Sequence, residues 1–365
     1  MRIPWRWLAL AVPASLLVAC SDQSTAPKST QTAVLPRAAE LSSAAAQKLT
    51  IQDLGTLGGT YSEGRAINDK GWVVGMSDIG GGVIHAFLWK DGEMSDLGTL
   101  GGTASKALGI NDAGEIVGAA QLPGDAVEHA FLWRHGRMMD LGGLGGVYAE
   151  GFVINDEGDV AGGGNTPDGL FYAALWRHGR IRDLGALGGT SSWSNGIGRE
   201  DVVVGGATVD AANAVWHAFI WRNGVMHDIG TLGGTSGGAS YINASGTVVG
   251  GSTLAGDVYE RAFIWHHGRM SDLGTLGGNY TVAYAQWIND EGLVAGGTCT
   301  VDWYPCHAVL WYKGTVTDLG TLPGAMLDYS WAQSVNNRGQ VAGSAVTANG
   351  EQHAVLWTPR DHDHR

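Results

Sequence analysis

"HAFLWKDGEMSDLGTLGG", residues 85–102, returns at 129–146 as "HAFLWRHGRMMDLGGLGG" and at 217–234 as "HAFIWRNGVMHDIGTLGG". Self-similarity at a period of a few tens of residues signals a repeat architecture, so the copies decide the fold before any single residue does. The Asp of the "DLG" phrase falls at Asp53, Asp96, Asp140, Asp183, Asp228, Asp272 and Asp318, with spacings of 43–46 residues. A second phrase, "VVG" or a variant, sits at 73–75, 116–118, 160–162, 203–205, 248–250, 294–296 and 341–343. The third phrase ends at Trp89, Trp133, Trp176, Trp221, Trp265, Trp311 and Trp357, so each of the three occurs seven times.

Each copy reads as four short strands. In the first, "SEGRAIN" (62–68) is followed by the tight turn "NDKG" (68–71), where Gly supplies positive φ. "WVVGM" (72–76) and "HAFLW" (85–89) are the next two strands, and "KDG" (90–92) is an Asp-Gly hairpin turn into the fourth, "EMSDLGTL" (93–100). Both alternating sets of "HAFLW" are largely apolar, which a strand can sustain only if it is covered on both faces. Four-stranded sheets packed against copies of themselves make a propeller. The repeat begins at "KLTIQDLGTLGG" (48–59), a fourth strand without its three partners, and ends after "HAVLWTPR" (353–360), a third strand without its fourth. The two ends complement each other. The expected fold is therefore all-β, a seven-bladed β-propeller over 48–360 whose ring is closed by the N-terminal strand, leaving no sheet edge open.

The ordered phrases "HAFLW…DLGTLGG…AIND.G.VVG" resemble the extracellular repeat named HAF. The resemblance covers residues 48–357, with local departures at Tyr172, Arg261 and "IGRED" (197–201). It implies export and a repeat fold, and no particular activity, so function has to be argued from the site.

Arg2 and Arg6 precede the apolar run "WLALAVPASLLVA" (7–19), which has signal-peptide length and is too short to span a bilayer comfortably. It closes in "LVAC" (17–20), which resembles the lipobox of bacterial lipoproteins. That resemblance implies cleavage of residues 1–19 and lipidation of Cys20, and Ser21 after it favours the outer membrane, on its periplasmic or surface side. Residues 20–47 are rich in Ser, Ala and Thr and read as a tether. The tail "DHDHR" (361–365) reads as solvated. The formal net charge of −13 argues against a nucleic-acid partner, which requires a basic face.

The seven Asp and seven Trp recur in every copy, so they read as structure, and a seam between blades is the natural place for the Trp. Histidines 85, 129, 217, 307 and 353 lie on the third strand, far from one another, and a hydrogen bond within each blade explains them better than a shared metal. No cofactor or metal is expected. Cys299 and Cys306 bracket "TVDWYP" (300–305) and read as a disulfide, permitted by export and worth roughly 2–3 kcal/mol by loop closure. It would also hold Trp303 and Tyr304 in a fixed pose.

In a propeller the loops joining fourth to first and second to third strands share one face, and the short turns share the other. The turn face is monotonous; the loop face is irregular and aromatic. Aligned positions near the start of the innermost strand read Glu63, Lys106, Glu150, Trp193, Gly238, Tyr284 and Trp331. With Trp303 and Tyr304, these form the expected ligand site. Aromatic platforms with a few polar groups suit a sugar chain or a protein segment. The resulting expectation is a monomeric, membrane-anchored binding or scaffold module at the cell envelope, not an enzyme, with a carbohydrate polymer or an envelope protein as partner. The competing expectations are a polysaccharide lyase or hydrolase using Glu63 and Glu150 with Lys106, and a spacer with no specific ligand.

Overall fold

The computed structural model describes residues 49–360. The expected signal peptide, the lipidated Cys20, the tether and the tail lie outside the described residues. No α-helix occurs among the described residues, and one 3-10 turn at Arg199–Asp201 interrupts the strands. The chain enters through β1 (Leu49–Asp53). The first repeat then supplies β2 (Ser62–Ile67), β3 (Val73–Asp78), β4 (Ile84–Lys90) and β5 (Glu93–Asp96), which pair antiparallel in chain order. Five sheets have four strands, and the strands from Ser192 to Asp272 form a sheet of eight. The larger sheet is two repeats joined by a single parallel pair, Trp216 with Ser236. The result is an all-β fold of propeller type.

The repeated phrases now have physical reasons. β3 is buried on both faces, and Val73, Val74, Ala86 and Phe87 are inaccessible. Each fully buried Phe or Val contributes about 1.5–3 kcal/mol. The Gly of "VVG" is dictated by a bulge in β2 between Gly64 and Ala66, which drives a carbonyl inward. A Cβ on Gly75 would lie 1.8 Å from Glu63 O, and one on Gly205 would lie 1.9 Å from Trp193 O. β5 stops at Asp96, short of the expected Leu100, because the Asp96 carboxylate accepts the Gly98 N–H at 2.7 Å and meets His85 Nδ1 at 2.8 Å. The same His–Asp pair recurs at His129–Asp140, His217–Asp228 and His307–Asp318.

β1 pairs antiparallel with the last strand, Gln352–Pro359, with Leu49 opposite Pro359 and Asp53 opposite Val355. His353 of that strand meets Asp53 at 2.9 Å. Consecutive repeats are stitched together by their Trp and Ser side chains. Trp311 Nε1 donates to Gly274 O and Trp357 Nε1 to Leu319 O, carbonyls of the preceding repeat. Ser105 accepts from Ala86 N and donates to Gly98 O across the same kind of seam.

Candidate functional site

Short bridges show which loops share an end. Glu128 pairs with Tyr148, Cys306 with Tyr329 and Tyr61 with Gln352, so the start of each third strand lies beside the approach to a following first strand. This loop end carries all eight expected ligand residues, and most of them are engaged with the protein itself.

The acids and the lysine fall into two separate clusters. Lys106 and Glu150 are buried, with Lys106 Nζ 2.8 Å from Glu150, 3.2 Å from Glu128 and 3.1 Å from the Tyr148 hydroxyl. Glu63 lies in a separate knot, taking hydrogen bonds of 2.8 Å from Arg65, Tyr61 and Gln333. Burial alone would raise the Glu63 carboxyl, but the Arg65 guanidinium and these hydrogen bonds outweigh it and hold the carboxyl below its ordinary range. An acid so held is a poor proton donor at neutral pH. Glu63 and Glu150, the expected acid and base of the enzyme alternative, thus lie apart, each beside its own cation.

Three of the expected aromatics are packing residues in part. Trp193 stacks on Trp216 with ring centroids 4.2 Å apart and covers Gly206, where a Cβ would meet its ring at 2.7 Å. Tyr284 lies over Gly251 and Trp331 over Gly297, each a glycine of the preceding repeat. Trp303 and Tyr304 differ, being 39% and 48% exposed. Their loop is closed by the Cys299–Cys306 disulfide, with Cα atoms 4.1 Å apart. The disulfide is buried with Val282 and packs against Tyr284, Tyr329 and Trp331. Exposed Val301 lies on the same loop, and exposed Met326 and Leu327 precede Tyr329, which bridges to Cys306.

Glu260 was missed in the sequence. It begins the third strand of its repeat, and burial raises its carboxyl to about 7, with no opposing charge. Its slot gave little signal, because Ile84, Glu128, Phe171, Trp216, Cys306 and Gln352 hold the aligned position in the other repeats and one of them is also Glu.

The cavity opens at the other end, among the "NDxG" turns. It has a volume of about 450 Å³ and is lined from every repeat, at the residues aligned with Ile67, Asn68 and Asp69. Asn68 Nδ2 donates to Asn111 O and Asn111 Nδ2 to Asn155 O; Asn243, Asn289 and Asn336 continue the series, and Asn336 Nδ2 returns to Asn68 O. A parallel series joins turn carboxylates to the next turn's backbone, with Asp69 N–H donating to Asp112 and Asp112 N–H to Asp156. Both series lapse at "IGRED", where Gly198 and Arg199 replace Asn and Asp. The turns that look uniform in sequence thus surround a cavity, while the irregular loop residues are largely engaged with one another.

No protein-family model matches the chain, and no curated protein matches it. Solved structures do show a likeness. TolB from Acinetobacter baumannii aligns at 10% identity and a TM-score of 0.46 over 83% of this chain and 66% of that one. A gluconolactonase from Xanthomonas campestris aligns at 8% identity and a TM-score of 0.41 over 87% and 93%. A puromycin-hydrolyzing peptidase of Mycobacterium tuberculosis aligns at 11% identity and 0.45 over 83% of this chain and 55% of the other. At these scores no function is transferred.

Proposed function

We propose that the chain is a seven-bladed β-propeller closed by β1, exported and held at the envelope through Cys20, and that it works as a binding module. The HAF-like phrases and the lipobox-like "LVAC" support export and anchoring, and the pairing of β1 with the last strand supports closure. The observation that carries the binding reading is the exposed group Val301, Trp303, Tyr304, Met326 and Leu327 beside a buried disulfide. A disulfide-closed loop holds its aromatics in place before the partner arrives, which lowers the cost of ordering them on binding. Three of these five residues are aliphatic. Sugar sites pair aromatic faces with hydrogen-bonding groups, whereas aliphatic and aromatic side chains together resemble the core of a protein interface. An envelope protein is therefore favoured over a carbohydrate polymer.

The test is capture from envelope extract by the full-length protein and by Trp303→Ala and Met326→Ser. The expected result is one protein partner, retained by wild type and lost by both variants, with thermal melts unchanged. Capture that survives both substitutions, or binding on a glycan array that survives protease treatment of the ligand, would remove the reading. The enzyme alternative has one observation in its favour, the raised carboxyl of Glu260 beside Tyr284 and Gly251. Polysaccharide turnover abolished by Glu260→Gln would establish it.

A further inference from the structure

We propose that the cavity among the "NDxG" turns is a second ligand site, specific for a small organic ammonium ion. This inference is independent of the binding reading above, which concerns the opposite end.

The first observation is a floor that breaks the repeat. The aligned slot holds Ala66, Gly109, Val153, Gly196 and Ser334 in five repeats, but Tyr241 and Trp287 in the other two. Those two rings stack, with centroids 3.5 Å apart and planes at 19°, and both line the cavity. Aromatic faces attract cations through their ring quadrupole, most strongly where water is displaced. The Tyr241 hydroxyl makes no hydrogen bond to any described residue. Burial raises its pKa, and the carboxylates of Asp290, Asp156, Asp112 and Asp69 raise it further, so four acids from four repeats converge on this one group.

The second observation is what the polar wall has left to offer. Most of the asparagines are engaged: Asn68 Oδ1 accepts from Lys70 N and Trp72 N while its Nδ2 donates to Asn111 O. Asn336 is satisfied in the same way by Arg338, Gln340 and Asn68. Asp69 uses both oxygens on Asn337. Asp112, Asp156 and Asp290 each use Oδ1 on a neighbouring backbone N–H, and their Oδ2 atoms accept from no described residue. The charge left on the wall is therefore mainly anionic, carried by the carboxylate oxygens. Five carboxylates line the cavity against one guanidinium, that of Arg199, which makes no side-chain hydrogen bond to them. The cavity volume lies within the usual range for small-molecule sites, roughly 300–1,000 Å³.

A predominantly acidic wall over an aromatic floor selects a positive charge that also has apolar surface. A bare divalent ion would gain nothing from the stacked rings. An ammonium ion carrying a phosphate ester would bring negative charge against the acidic rim, so the expected ligand is an amine or quaternary amine without one.

The experiment is calorimetric titration of the full-length protein with choline as probe. Phosphocholine, the uncharged isostere 3,3-dimethylbutan-1-ol and calcium are titrated in parallel. Choline should saturate one site, phosphocholine should bind more weakly, and the neutral isostere should not bind. Asp112→Asn with Asp156→Asn keeps the amide oxygen that each neighbouring N–H requires and should weaken choline at least tenfold. Tyr241→Leu should weaken it several-fold, Arg199→Gln should tighten it, and Trp303→Ala should leave it unchanged. The site is overturned if the isostere binds as well as choline, if calcium binds and choline does not, or if the double variant binds like wild type.

Discussion

The two ends of this molecule solve opposite problems. At the turn end six of the seven repeats present the same Asn and four follow it with Asp, and identical acids around a common space cannot neutralise one another. That end stays open, stitched by side chains bonding to the next repeat's backbone. At the loop end the repeats differ, so a lysine can find two acids and a tryptophan can cover a glycine, and the space largely fills. Repetition thus leaves a cavity where variation supplies packing. The aromatic residues left over at the loop end form an exposed group instead of lining a pocket.

The contrast can be broken or sharpened in order of expected effect. Deleting Leu49–Asp53 removes the strand that pairs along the last strand and leaves that strand with an open edge. The melting temperature should fall by about 10 °C or more, on the scale of roughly 2–4 °C per kcal/mol for a domain of this size or smaller, or the protein should aggregate. An unchanged melt would sink the closed ring.

At the loop end, Lys106→Ala strands Glu150 in a buried site and should cost about 3–5 kcal/mol by chemical denaturation. Lys106→Met combined with Glu150→Gln should recover most of that loss, since apolar and neutral groups can replace a buried pair. If the double variant is as unstable as the single one, the charges do more than fill space.

At the turn end, Asn289→Ala removes the bond to Asn336 O and the acceptor for Leu293 N. The expected loss is about 1–3 kcal/mol, the cost of leaving buried backbone groups unsatisfied. A loss as large as that of Lys106→Ala would make the two ends energetically alike.

The smallest effect is the most discriminating, because the ends should answer acid with opposite signs. Glu63 has a lowered folded pKa, so its contribution is complete above its ordinary 4.5 and is lost as pH falls through the folded value. Asp112 is raised by burial, and the neighbouring Asp69 and Asp156 carboxylates add to this. Its penalty is therefore present above the raised value and disappears below its ordinary 3.8. At neutral pH Asp112→Asn should stabilise the protein slightly, by roughly a few tenths of a kcal/mol after solvent screening. The gain should vanish in acid, whereas Glu63→Gln should destabilise at neutral pH and matter less as pH falls. Melts of both variants across pH 3–7 decide this, and a shared direction would remove the distinction.

The phrases determined by themselves what is local and periodic: four strands per repeat, the Asp-Gly turn of β4 into β5, the β1 segment as an orphan fourth strand and the Cys299–Cys306 bridge. A strand apolar on both faces must be covered, and a turn needs positive φ at its Gly, wherever the chain goes afterwards. Partner choice depends on distance in space, and only the tertiary structure decided that. Lys106 and Glu150 hold the same slot in successive repeats, but the sequence did not say that they would pair with each other, and Gln333 lies 270 residues from Glu63. Tyr241 and Trp287 looked like two strand residues in two repeats until the fold stacked them beneath a rim of acids. The small side chains in the other five copies of that slot held the signal, but its meaning required knowing that Tyr241 and Trp287 reach one cavity.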